Sequence, residues 1–116
     1  MQLIPLGQIL PGATYATVSV PVLSSALLAA HPELANKDVN VVSIQFDPGS
    51  TGGGRIYICN SAAAPASNRS NVIYTIQSPG DSWPLVGHAL NDVELGGLYI
   101  GADNADDYAC GYVRRA

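Results

Sequence analysis

Apolar and polar residues alternate most clearly between Val39 and Asn60. Val42, Ile44 and Phe46 interleave with Ser43, Gln45 and Asp47, and Ile56 and Ile58 resume the alternation after a run of Pro, Gly, Ser and Thr. Successive side chains of a strand point to opposite faces, so this stretch predicts a strand, a mobile loop and a second strand. The same period recurs upstream, where Ala16, Val18, Val20 and Val22 oppose Tyr15, Thr17 and Ser19, predicting a strand over 13–22 that ends near Pro21. Between these two regions the period lengthens: Leu23, Leu27, Ala30 and Leu34 recur at helical intervals, with Ser24 or Ser25 as cap and Pro32 as stop. A short helix over 24–30 is predicted, followed by a turn at 36–38.

Downstream, 61–71 is a loop of low complexity, and a strand over 72–77 places Val72, Tyr74 and Ile76 on one face. Ser78-Pro79-Gly80-Asp81 turns the chain into a strand over 82–86. A connection over 87–96, a strand over 97–102, a polar turn at 103–107 and a last strand over 108–114 complete the pattern. Seven or eight short strands at regular spacing, with at most one short helix, predict an all-β fold of β-sandwich or jelly-roll type. Residues 13–116 form its single domain, preceded by an extended N-terminal arm over 1–12 that Pro5 and Pro11 keep from being helical. Two readings of the arm stand side by side: a segment lying on a neighbouring subunit, or an edge strand packed on its own domain.

Composition narrows the function classes. Hydrophobic residues make up 47% of the chain and charged ones only 12%, with 12 Gly and 8 Pro, which suits short strands, many loops and a surface partly covered by neighbours. Five basic residues, spread along the chain except for Arg114-Arg115, and a net charge of −4 give no clustered positive surface for phosphate, so no nucleic-acid role is expected. No apolar run approaches membrane-spanning length, so no membrane role is expected either. The N-terminus has no basic region before its apolar residues and does not read as a signal peptide. Cys59 and Cys110 accordingly read as reduced thiols buried as small hydrophobes, in a chain that folds in a cytoplasm.

Candidate chemistry is sparse. Gly80-Asp81-Ser82-Trp83 resembles the nucleophile motif of GDSL-type esterases, but the Asp-x-x-His that would supply the base near the C-terminus is missing. Asp103, Asn104, Asp106 and Asp107 lack the alternate spacing and distal Glu of a calcium loop and read as a solvated hairpin turn. His31 and His88 adjoin no ligand at metal-site spacing. Gly52-Gly53-Gly54-Arg55 lacks the Lys-Ser/Thr of a phosphate loop and precedes a strand, so the glycines read as loop flexibility. Asn68-Arg69-Ser70 fits a glycosylation sequon that only an exported chain would use. The residues point to no enzyme, metal or cofactor.

The order of segments carries more. Leu27-Leu28 with His31-Pro32, then VVSIQFDPGSTG at 41–52, RIYICN at 55–60, SPGDSW at 78–83 and LYIGADNADD at 98–107 together resemble small virion proteins of tailed bacteriophages, over roughly residues 18–112. The glycine usual after Tyr-Ile in that group is Cys59 here, a departure within a strand. Members of the group are similar to capsid decoration, or cement, proteins with jelly-roll-like folds. The resemblance implies a non-enzymatic homodimer or homotrimer that assembles in the host cytoplasm and binds the major capsid protein lattice, where it stabilises the head. The net negative charge favours the head exterior over a face turned to packaged DNA. For attachment, the candidates are Gln2, Leu3, Ile4, Leu6, Ile9 and Leu10 of the arm, Pro48, Gly49, Thr51 and Gly53 of the loop, and Trp83. Two alternatives remain: a tail, collar or fibre-associated adaptor, and a host-glycan-binding module in which Trp83 and Tyr74 are stacking platforms.

Overall fold

The alternating positions become two antiparallel sheets packed face to face. A computed structural model describes residues 3–11, 20–32, 34, 38–86 and 93–115. Among these, the strands are β1 (Leu3–Pro5), β2 (Val20–Pro21), β3 (Asp38–Phe46), β4 (Ile56–Cys59), β5 (Val72–Ile76), β6 (Ser82–Val86), β7 (Val93–Glu94), β8 (Tyr99–Ala102) and β9 (Ala109–Arg115), with one helix, α1 (Ser25–Ala30). One sheet has the order β1-β9-β3-β6, with the short β7 added beside the start of β3, and the other has the order β2-β8-β4-β5. The pairs are nested: β1 with β9, β2 with β8, β3 with β6 and β4 with β5. That nesting is the strand order of a jelly roll, and the all-β sandwich expected from the sequence is what the chain forms.

Alternation explains the core. Ile44 and Phe46 of β3, Val113 and Ala109 of β9 and Ile4 of β1 meet Ile56 and Ile58 of β4, Ile100 and Ala102 of β8 and Ile76 of β5 in one buried cluster. Each large side chain in it contributes about 1.5–3 kcal/mol through the apolar surface removed from water. Val22, Leu23, Leu27 and Leu34 extend the cluster through β2 and α1. The helix starts where expected, because the Ser24 hydroxyl accepts from the Leu27 amide at 3.1 Å, and it ends at His31, just before Pro32.

One open alternative closes and two sequence expectations change. The N-terminal arm is the edge strand of the chain's own first sheet: Leu3, Ile4 and Pro5 lie opposite Arg114, Val113 and Tyr112. Pairing continues past β1, with the Leu6 amide donating to the Gly111 carbonyl at 2.8 Å and a bridge between Ile9 and Ala109. An edge position tolerates the missing N–H of Pro5. In β5, Tyr74 and Ile76 share the expected face, opposite Ile58 and Ile56, but the register shifts between Ile58 and Cys59, so Ile73 drops out of the pairing and Val72 lies opposite Cys59 instead of continuing that face. On that face Ile76 is buried and Tyr74 stays 45% exposed. Finally, the connection expected over 87–96 contains β7, which pairs with Asp38 and Val39 at the start of β3. Residues 13–19 of the first expected strand and 87–92 of that connection lie outside the described residues. Among the described residues, no helix is long and apolar enough to cross a membrane.

Candidate functional site

Four connections meet at one end of the sandwich. The segment after β1 arrives there through the Ile9–Ala109 bridge. The 77–81 turn is tied in by Gly80 N–H to the Phe46 carbonyl at 2.8 Å and Phe46 N–H to the Asp81 carbonyl at 2.9 Å. The loops 47–55 and 103–108 are joined by Asp47 N–H to the Tyr108 carbonyl at 3.0 Å and Thr51 N–H to the Asp106 carbonyl at 3.1 Å. Nested antiparallel pairing forces this gathering, since alternate connections of a jelly roll exit at the same end.

Asp107 organises the end. Its carboxylate is fully buried, and accepts from the Gly52 amide at 2.9 Å and the Gly54 amide at 2.8 Å. The Asn104 side chain adds a bond from Nδ2 to the Gly52 carbonyl at 2.9 Å. The Ser50 hydroxyl donates to the Tyr108 carbonyl at 3.2 Å and accepts from the Tyr108 amide at 3.1 Å. Backbone amides on either side of a left-handed residue form a concave anion site, and here Gly53, at φ 77°, lies between the two donors. The glycine run thus does hold an anion, and the anion is the chain's own side chain.

Close approach also explains the glycine identities. A Cβ on Gly52 would lie 2.8 Å from Asn104 Cβ, and one on Gly54 would lie 2.6 Å from Asp103 Cβ. Two sequence expectations are therefore corrected. Residues 48–54 are a hydrogen-bonded loop, not a mobile one, and the acidic run 103–107 is solvated only in part, since Asp103 and Asp106 are exposed whereas Asp107 is internal. Burial of an ionised carboxylate requires such donors, and the two amides supply them.

The structure separates the attachment candidates. Pro48, Gly49, Thr51 and Gly53 are exposed on the clamped loop. Leu10 is exposed one residue beyond the Ile9–Ala109 bridge, at the same end. Leu3 is exposed too, but lies toward the far end of β9, opposite Arg114. Ile4, Leu6 and Ile9 retain only 2%, 5% and 6% of their exposure and belong to the chain's own core, which removes them as attachment residues. Gln2 lies outside the described residues. Trp83, opposite Ile44 on β6, packs against the core, and its ring stacks on that of Tyr74 with centroids 6.3 Å apart and planes at 22°. The two aromatics pack against one another between the edge strands β5 and β6, with Tyr74 45% exposed and Trp83 partly buried.

Other candidate chemistry resolves locally. Gly80 takes φ 94° in the turn, Asp81 N–H donates to the Ser78 carbonyl at 3.0 Å, and Ser82 is exposed at the start of β6. Among the described residues, no group of three or more His, Cys, Asp or Glu side chains is placed to hold a metal ion. His88 lies outside the described residues. Cys59 is buried and Cys110 half-buried, and neither is in a disulfide. Burial pushes the Cys110 thiol pKa up, and Asp47 adds to the effect. The sequence reading missed Asp107, Asn104 and Ser50 as organisers. The available signal was the coincidence of a Gly-rich and an Asp-rich connection, which a jelly-roll strand order brings to one end.

No family model matches the chain, and neither does any characterised protein or solved structure.

Proposed function

We propose that this chain is a structural component of a phage virion, a decoration protein that binds the outer surface of the major capsid lattice and reinforces the head. The observation that carries the reading is the clamped end, where Pro48, Gly49, Thr51 and Gly53 are exposed on a loop that Asp107 holds through Gly52 and Gly54, and Leu10 is exposed beside the Ile9–Ala109 bridge. A loop that is already ordered loses little conformational freedom on docking, so more of its contact energy appears as affinity. Support also comes from the order of sequence segments shared with small virion proteins and from the jelly-roll strand order that such proteins are expected to have. Binding the assembled lattice in preference to free subunits stabilises the shell by mass action.

Self-association into a dimer or trimer belongs to the same proposal. Leu3, Pro5 and Tyr112 are exposed together where β1 runs beside β9, and give it an apolar surface. The test is immunogold labelling and copy-number measurement on purified virions. Hundreds of copies on the head support decoration. Presence only in the tail, or absence from particles, sinks it. A second measurement places the contact: Thr51→Arg and Leu10→Asp should lower head occupancy while leaving the melting temperature unchanged.

A further inference from the structure

The outward face of the second sheet carries a feature that attachment does not use. Tyr57 points outward from β4, between inward Ile56 and Ile58, and its cross-strand neighbours are Thr75 on β5 and Gly101 on β8. A groove of about 440 Å³ opens there, between Arg55 and Asp103 on one side and Ala64, Pro65 and Arg69 on the other. Its volume falls within the range of small-ligand sites.

Both walls are built. The 61–71 connection, a featureless loop by sequence, is held by Asn71, whose side chain accepts from the Ala66 amide at 2.8 Å and donates to the Ala63 and Ala64 carbonyls at 3.2 and 2.9 Å. This folds Ala64, Pro65 and Ala66 against the groove as an apolar wall. Arg69 sits at φ 61°, the one non-glycine residue with positive φ among those described. Its Nη1 donates to the Thr75 hydroxyl at 2.8 Å. A left-handed non-glycine residue costs about 1–2 kcal/mol, and such strain concentrates where a side chain must be aimed. Across the groove, Asp103 accepts from the Tyr57 hydroxyl at 2.8 Å and from the Arg55 amide at 3.1 Å, and its carboxylate lies 3.8 Å from Arg55 Nε.

The charge balance selects the ligand class. Two of the chain's five basic residues line this one groove, in a chain of net charge −4. Arg55 is paired with a carboxylate, whereas Arg69 is hydrogen-bonded to a neutral hydroxyl and keeps its charge uncompensated by that partner. A guanidinium fork matches a planar carboxylate in two parallel hydrogen bonds. Asp103, still able to accept from hydroxyl groups through remaining lone pairs, disfavours a doubly charged phosphate. The Tyr57 ring and the Ala64–Ala66 wall suit the C–H face of a sugar ring. From these features we infer that the groove binds a carboxylate-bearing saccharide, with Arg69 on the carboxylate, Asp103 and Ser67 on ring hydroxyls, and Tyr57 beneath the ring.

The full chain is screened on a glycan array containing uronate, sialate, sugar-phosphate and neutral glycans, and the strongest carboxylate-bearing hit and its neutral counterpart are then titrated by amide-shift NMR. The expected result is shifts confined to the groove, with the acidic sugar bound about tenfold or more tightly than the neutral one. Arg69→Gly keeps the backbone conformation, and should abolish that preference without lowering the melting temperature. Asn71→Ala should weaken binding of both sugars by loosening the wall. No acidic glycan above the neutral background, equal binding of sugar phosphates, shifts outside the groove, or an unchanged preference in Arg69→Gly would each overturn the assignment. Attachment to capsids is measured separately, as head occupancy of the Thr51→Arg and Leu10→Asp variants, and is untouched by any of these outcomes.

Discussion

Replacing Asp107 by alanine tests the clamp directly. The carboxylate accepts two charge-assisted bonds from Gly52 and Gly54, each of which contributes about 1.5–3 kcal/mol. Alanine leaves both amides facing a small void with no acceptor, so the expected loss is about 4 kcal/mol. For a chain of 116 residues, the usual unfolding entropy per residue converts about 1 kcal/mol to about 4 °C, so the melting temperature should fall by about 15 °C. Asp107→Asn keeps the volume and one acceptor but turns an amide donor toward a backbone donor, and should cost about half as much. Scanning calorimetry at neutral pH gives the loss, and hydrogen exchange locates it: the Gly52 and Gly54 amides should lose protection ahead of those in β4 and β8. A loss below about 1 kcal/mol in Asp107→Ala, within the range of ordinary surface changes, would refute the reasoning that this carboxylate holds the loop.

Ile4→Ala should cost about 2–5 kcal/mol and Leu3→Ala less than about 0.5 kcal/mol by thermal melting, because the first side chain is 2% exposed and the second 58%; similar costs would show that β1 is not part of the core. Gly53→Ala meets open space and should cost only the about 1–2 kcal/mol of its positive φ, whereas Gly52→Ala drives a Cβ against Asn104 and Asp107 and should destabilise the chain more. Tyr57 holds its proton above the ordinary phenol pKa, first through burial and then through its bond to Asp103. Stability from this group is present below a pH of about 10 and is lost as pH rises through the folded-state value, so Tyr57→Phe should show a shallower fall in denaturant midpoint above that pH. Folded protein treated with iodoacetamide near pH 8.5 should be alkylated at Cys110 more slowly than unfolded protein and scarcely at all at Cys59, by peptide mass mapping, since thiolate fraction and access both limit the reaction.

The fold was legible because its strands are amphipathic. Val42, Ile44 and Phe46, then Ile56 and Ile58, carry a period that only a half-buried strand explains, and Ser78–Asp81 is a turn on local chemistry alone. Pro32 and Ser24 bounded the helix for reasons equally local. What escaped was whatever depends on partners distant in sequence. Burial of Ile4, Leu6 and Ile9 follows from pairing with β9, a hundred or more positions away, and no local period distinguishes that from a free arm. Asp107 looked like one of several solvated acids because its donors, Gly52 and Gly54, lie on another connection. The groove escaped for the same reason: Arg55, Tyr57 and Asp103 come from the loop before β4, from β4 and from the turn after β8, while Arg69 is aimed by a backbone conformation that arginine rarely signals.

The nesting of the strands also sets an order in time. In the first sheet β9 lies between β1 and β3, so the last of the described strands to leave the ribosome is an interior one. Until it emerges, β3 lacks one of its neighbours, and β1, which joins the sheet only through β9, cannot bring Ile4 into the core. Pairing between such distant segments is slow, on the order of milliseconds to seconds, and exposes aggregation-prone edges meanwhile. A ribosome stalled before Ala109 would therefore hold an open half-sandwich, and a chaperone that shields paired-strand edges would act on this protein late in synthesis, not early.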